Sequence, residues 1–265
     1  MIESFRTKEF EANETELNRL VSEMDSFGGL SPPIPGLSKE SFLSVLDAHK
    51  SVFVRFMHGR IDEKYACLAP LISSMVSRLF IFHPASRGKH HSFPFGLQQH
   101  TTEVVRIGSA ILEETDQMRG EPDLEEETVF VVAAMLHDIE KTSDYLVSYD
   151  HGSIRTKLTN GEKLMDAIAS SMTLTYSDYC DQVRHISGGA ITFNRLMDKL
   201  EIKDPFPDFR RRVTHALLSH HQLPEWGSSV SPKSRAAWAL HLADMASVNI
   251  LQRRYQKQTS DASNS

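Results

Sequence analysis

The sequence predicts an all-α protein, a helical bundle with extra N-terminal helices. Apolar residues recur at three- and four-residue spacing along most of the chain, and the alternation expected of a half-buried strand is almost absent. A composition of 40% hydrophobic and 24% charged residues is globular, and 265 residues suffice to bury a large core. Histidines and aspartates also fall on the apolar stripes of successive helices, where an unpaired polar group is costly.

In chain order, residues 1–27 read as a weakly anchored amphipathic helix, and "GGLSPPIPGLS" reads as a linker, so 1–37 is set apart from a bundle over 38–256. Ser38 caps a helix with Phe42, Val45 and Leu46 on one side. A second helix is expected from about Asp62 to Phe82, stopped by Pro84. The segment "HPASRGKHHSFPFG" then forms a loop to Gly96. Leu97 to Glu114 places His100, Val104, Ile107 and Ile111 on one stripe. Pro122 and an acidic first turn open the next helix, whose apolar run from Val129 to Leu136 delivers His137, Asp138 and Lys141. Tyr179 to Leu200 puts His185, Gly189 and Leu196 on a shared face. Asp208 is read as the cap of a helix carrying Val213, Leu217, His220 and His221. Ser231-Pro232 opens the last long helix, with Ala237, Leu240, Asp244 and Val248 aligned. The Gln/Ser-rich end, 257–265, is expected to be a disordered tail.

The formal charge of -6 argues against gripping duplex DNA by bulk electrostatics. Arg210, Arg211 and Arg212 read as a solvated face at a helix start. Cys67 and Cys180 form no CxxC pair and suggest a reducing compartment. "MIESFRTKEFEANETEL" is polar and acidic and no apolar run is long enough to span a bilayer, so a cytoplasmic location and no membrane partner are expected.

The candidate site is a joint pattern. His100, His137, Asp138, His185, His220, His221 and Asp244 would converge inside one bundle, and metal ions remove the penalty each would suffer alone. The set fits two ions. His100, His137, Asp138 and Asp244 make one N/O site, and the second oxygen of Asp138 can bridge to an ion held by His185, His220 and His221. Imidazole and carboxylate without thiolate suit two divalent transition metals of the Mn, Fe, Zn, Co or Ni group. Trp226 and Trp238 read as core residues.

This pattern resembles the signature of the HD-domain metal-dependent phosphohydrolases, with the extra histidines of their two-metal branch. "PASRGKHHSFPFGLQQHTTEV" is similar to the segment before the first ligand in YhaM-type 3′–5′ exoribonucleases and in the HD domain of TraI-type conjugative relaxases. "LLSHHQLPEWGSSVSPKSRAAWALHLADMAS" is similar to the later part of one of these groups. The resemblance covers roughly Leu68 to Asn249. Where the family usually has glycine this chain has Glu140, and a usual Gly-Gly ahead of the first ligand is Phe95-Gly96.

The resemblance implies hydrolysis of a nucleotide, cyclic nucleotide or single-stranded nucleic-acid phosphodiester, with Asp138 and Lys141 as catalytic residues. Arg87, Lys89, His90 and His91, ahead of the first ligand helix, read equally as contacts to substrate phosphate or as a flexible solvent loop. Two other classes share the ligand set: a di-iron oxygenase and a non-catalytic regulatory module. The oligomeric state is not encoded in any motif.

Overall fold

The computed structural model describes residues 38–88 and 90–251. The helix expected within 1–27, the linker up to Leu37, Lys89 and the tail 257–265 lie outside the described residues.

The bundle is built around one helix with no polar face in its second half. This helix, α5 (Leu124–Leu136), is buried at every residue from Thr128 to Leu136, so other elements must cover it all round. The cover comes from α4 (Gly96–Arg119), α11 (Phe209–Ser219) and α12 (Arg235–Ala246), with α10 (Arg184–Lys199) behind α11. Gly108 of α4 permits the closest approach, because a Cβ there would stand 2.1 Å from the Phe130 ring. The N-terminal side is α1 (Lys39–His58), whose Ser38 cap accepts from the Ser41 N–H and whose Phe42, Leu46, Phe53 and Met57 are buried.

Several boundaries differ from the expected ones, each for a local reason. The helix expected over 62–82 is three pieces: a 3₁₀ turn at Glu63–Leu68, then α2 (Ala69–Met75) and α3 (Arg78–Phe82). Pro70 starts α2, Val76 leaves helical geometry, and the Ser77 hydroxyl accepts from the Phe80 N–H to begin a new turn. The helix expected to end near Glu114 runs on to Arg119 and closes at Gly120, φ 83°. α5 opens at Leu124 rather than at Pro122, capped by Asp123, which accepts from the Glu126 N–H. Asp208 has φ 63° and makes no cap; its carboxylate pairs with Arg211 instead. Arg210 is held by Asp198 and Asp204, and Arg212 by Glu125 and Glu126, so all three arginines of the run are paired. Ser234 caps α12, which passes into a π-helical turn over Ser247–Leu251.

The main element missed is a hairpin with its insertion. After the single turn α6 (Lys141–Asp144), β1 (Tyr145–Tyr149) pairs antiparallel with β2 (Met172–Tyr176), Tyr145 facing Tyr176 and Tyr149 facing Met172. Between them lie α7 (His151–Thr159) and α8 (Leu164–Ala169). "YLVSY" and "MTLTY" do alternate, but each is five residues long and too short to outweigh the helical pattern around it. The helix expected over 179–200 is likewise split. α9 (Asp178–Gln182) stops at Val183, and Arg184, at φ 58°, turns the chain into α10. No described helix is long and apolar enough to cross a membrane, and both cysteines are free.

Candidate metal centre

α5 ends at Leu136, so His137 and Asp138 sit in the turn that follows it, both buried. The short turn to α6, closed by the Lys141 N–H on the Asp138 carbonyl, brings the Lys141 side chain back over Asp138. His100 lies one turn into α4. It is flanked by the 90–91 segment because Gly96 lets the chain fold tightly: a Cβ there would meet the His91 carbonyl oxygen at 2.0 Å.

Five imidazoles are pinned the same way. His137 Nδ1 is 2.7 Å from the Ala134 carbonyl, His220 Nδ1 2.7 Å from that of Leu217, and His221 Nδ1 2.7 Å from that of Trp226. A carbonyl only accepts, so each Nδ1 carries the proton and each Nε2 is left to face inward. His185 Nδ1 donates to Asp144 Oδ2 at 2.8 Å. Ser247 donates its only proton to Glu103, at 2.8 Å, so the 3.0 Å contact between Ser247 and His100 is Nδ1–H to Oγ.

The inward atoms form two groups. His100 Nε2 lies 3.2 Å from His137 Nε2, 3.3 Å from Asp138 Oδ2 and 3.2 Å from Asp244 Oδ1, and His137 Nε2 lies 3.4 Å from Asp138 Oδ2. Two ligands on a first-row ion with bonds of about 2.1 Å are separated by roughly 3.0–3.4 Å, so these donor atoms already have the spacing such an ion imposes. In the second group the ligand nitrogens of His185, His220 and His221 lie within 4.8 Å of one another. Asp138 Oδ1 is 3.7 Å from His185 Nε2, and Asp244 Oδ2 is 3.9 Å from His221 Nε2, so both carboxylates face both groups. His185 Nε2, His220 Nε2 and Asp138 Oδ1 are buried without a hydrogen bond, the condition a cation relieves. Lys141 Nζ, 2.6 Å from Asp138 Oδ2, makes an ion pair there.

Burial alone would raise Asp138, but Lys141, His137 and His100 together hold its carboxyl well below the usual range. Burial alone would lower His100, yet Asp138 and Asp244 outweigh it and push the imidazole up to about 9. Burial, with His221 and His137 beside it, keeps His220 well below its ordinary value and therefore neutral. In the metal-free protein His100 thus holds a proton at pH 7.5 that a metal must displace. Addition of Zn²⁺ to metal-free protein in weak buffer at pH 7.5 is expected to release about one proton per chain more from the wild type than from His100→Gln, read by an indicator dye. A raised histidine stabilises the metal-free fold fully below about 6.5, and this contribution fades as pH rises through about 9.

All seven expected ligands meet here. His90 and His91 are not loop residues in solvent. Both are buried against His100, with ring centroids 5.1 and 5.3 Å from it, and His91 Nε2 is 3.0 Å from Glu103. Burial and Lys141 lower His90 to about 3, so it is neutral. Arg87 is exposed and lies over the Tyr176 ring rather than on the centre. Trp226 and Trp238 are 50% and 41% exposed, against the expectation of core; Trp226 closes a 3₁₀ turn at Pro224–Trp226 and Trp238 lies in the first turn of α12. Glu140 points away from the centre, accepting from Thr192 Oγ1 and packing beside Gly188, where it ties α10 to the His137–Lys141 turn.

Asp144, Glu103 and Ser247 were missed. Glu103 is three residues after His100 and Ser247 three after Asp244, one turn along the same faces, and that spacing was the available signal.

No family model matches the chain, and no solved structure matches it. Curated proteins named 3′-5′ exoribonuclease YhaM do. That of Listeria welshimeri is 24% identical over 225 residues, 83% of this chain and 61% of its own length. That of Shouchella clausii is 28% identical over 180 residues, 67% of this chain and 46% of its own length. That of Oceanobacillus iheyensis is 24% identical over 234 residues, 86% of this chain and 63% of its own length. The chain therefore spans about half to three-fifths of these relatives. The similarity is consistent with the HD superfamily.

Proposed function

We propose that the chain is a two-metal phosphodiesterase that removes nucleotides from the 3′ end of single-stranded RNA. One observation carries this reading: five imidazole Nε2 atoms and two carboxylates, pinned from outside, face one another in two groups that share Asp138. The exoribonuclease names of the similar proteins support the choice of substrate. The net charge of -6 favours a strand end over a duplex held along its length.

Two divalent ions held there would supply Lewis-acid charge and an activated water near neutral pH. Asp138 and Asp244 hold the negative charge that attracts such ions, and Asp144 and Glu103–Ser247 fix the orientation of His185 and His100. Lys141, buried at the edge of the centre, brings a positive charge to the side where phosphate oxygens must lie. His90 and His91, just ahead of the first ligand helix, form the flank against which the phosphate is oriented, with Arg87 beyond them. Cleavage breaks the bond between phosphorus and the 3′ oxygen of the penultimate nucleotide. Hydroxide adds to phosphorus, and the departing oxygen takes a proton. The products are a nucleoside 5′-monophosphate and a shortened strand with a 3′ hydroxyl.

The test is a 5′-labelled, single-stranded RNA incubated with the chain and Mn²⁺. A ladder shortening from the 3′ end, with nucleoside 5′-monophosphates released, is expected. Intact RNA beside fully metal-loaded protein would refute the reading.

A further inference from the structure

A cleft of about 340 Å³ opens beside the second ligand group, lined by Asp144, Tyr145, Tyr176, Arg184 and His185 among others. That volume falls within the range of small-ligand pockets. We propose that this cleft is a nucleobase subsite, in which the base next to the scissile phosphodiester of an unpaired strand stacks on Tyr176. The proposal rests on the phosphodiesterase reading and adds to it the residues that recognise the strand.

The platform is a column of planar groups running from core to solvent. The buried His83 ring stacks on Tyr145, 6.2 Å between centroids and 19° between planes. Tyr145 meets Tyr176 at 5.5 Å and 38°, and the Arg87 guanidinium lies 5.5 Å over the Tyr176 ring. His83 is itself fixed, with Nδ1 2.8 Å from the Pro84 carbonyl, so the column has a rigid base. Its outer tyrosine is 53% exposed, and the ring face that a base would take is covered by the exposed Arg87 side chain, whose guanidinium the base would displace.

The same short segment fixes both the platform and a metal-type ligand. Tyr145 and Tyr176 are the first register pair of the hairpin. Asp144, one residue before Tyr145, accepts from the His185 ring and main-chain N–H and takes the Ser177 N–H on its carbonyl. A phosphate at the centre and a base on Tyr176 would therefore be positioned by one rigid turn. Arg184, an exposed residue of the cleft lining, and Arg87, over the Tyr176 ring, would offer two cations to the sugar-phosphate strand beside the carboxylates of Asp144 and Asp181. Stacking on aromatic rings, flanked by arginine, tolerates any base. It requires an unpaired one, since a base within a duplex is covered on both faces by its neighbours. This is the chemistry of a single-strand end.

The test uses an RNA ending in 2-aminopurine, bound first to the metal-free chain. Stacking is expected to quench its fluorescence with the wild type and with Tyr176→Phe, but not with Tyr176→Ala or Tyr176→Leu. Leucine keeps the apolar packing and removes the aromatic face, so it separates stacking from a merely structural role. With Mn²⁺ present, Tyr176→Ala and Tyr176→Leu are expected to raise KM for RNA about tenfold with a much smaller change in kcat, and the gap from wild type is expected to shrink on an abasic-ended strand. Quenching by the wild type without hydrolysis of any RNA would overturn the phosphodiesterase reading and leave the base subsite standing. Hydrolysis with no quenching, or with the leucine variant equal to wild type, would overturn the subsite alone.

Discussion

Asp138→Asn is expected to lose at least ~10³-fold in kcat/KM and to hold no ion tightly in either ligand group. The reason is its position. Oδ2 lies 3.3 Å from His100 Nε2 and 3.4 Å from His137 Nε2, and Oδ1 lies 3.7 Å from His185 Nε2. An amide of the same shape offers one oxygen and turns an NH₂ donor toward the other group, where a cation cannot sit. It also removes the counter-charge of Lys141 and His100, and breaking a buried pair from one side costs about 3–5 kcal/mol. A lower unfolding temperature is therefore part of the expected result. Circular dichroism at the assay temperature, with metal analysis after gel filtration, separates a folded metal-free variant from an unfolded one. A folded variant that retains its full metal content would end the bridging assignment.

Lys141→Met should separate metal from turnover. The lysine is buried and pairs with Asp138, but it is not a ligand type. With both ions bound, the Asp138 carboxylate has other cations to neutralise it, so loss of the ammonium should leave the metals in place. The transition state of phosphoryl transfer carries charge on its non-bridging oxygens, and removing one preorganised positive group typically costs ~10²–10³ in rate. The expected result is a fall of that size in kcat, little change in KM and unchanged metal content. Loss of metal in proportion to activity would instead assign Lys141 to holding Asp138.

The all-α bundle was legible because α4, α5, α10, α11 and α12 each carry a long apolar stripe, and such stripes survive errors of a few residues at either end. The seven candidate ligands were legible for the same reason, since each lies on or just beyond a stripe. What lay beyond reach is local and short. The hairpin strands are five residues each, and their pairing across a 22-residue insertion leaves no mark in periodicity. The split at Val183–Arg184 depends on one left-handed residue, which ordinary propensity does not announce. Asp144 was invisible because it lies in the turn between α5 and β1, six residues after Asp138, where helical spacing does not apply. His90 and His91 read as loop residues because nothing in "GKHHS" shows that Gly96 folds them back onto His100.

A Mn²⁺ titration of the metal-free wild-type chain, followed by EPR, tests most directly whether Asp138 joins two ions in one centre. Two ions bound per chain, with a spin-coupled signal that is absent from Asp138→Asn, is the expected result. One ion per chain, or two that show no coupling, would contradict the bridging arrangement.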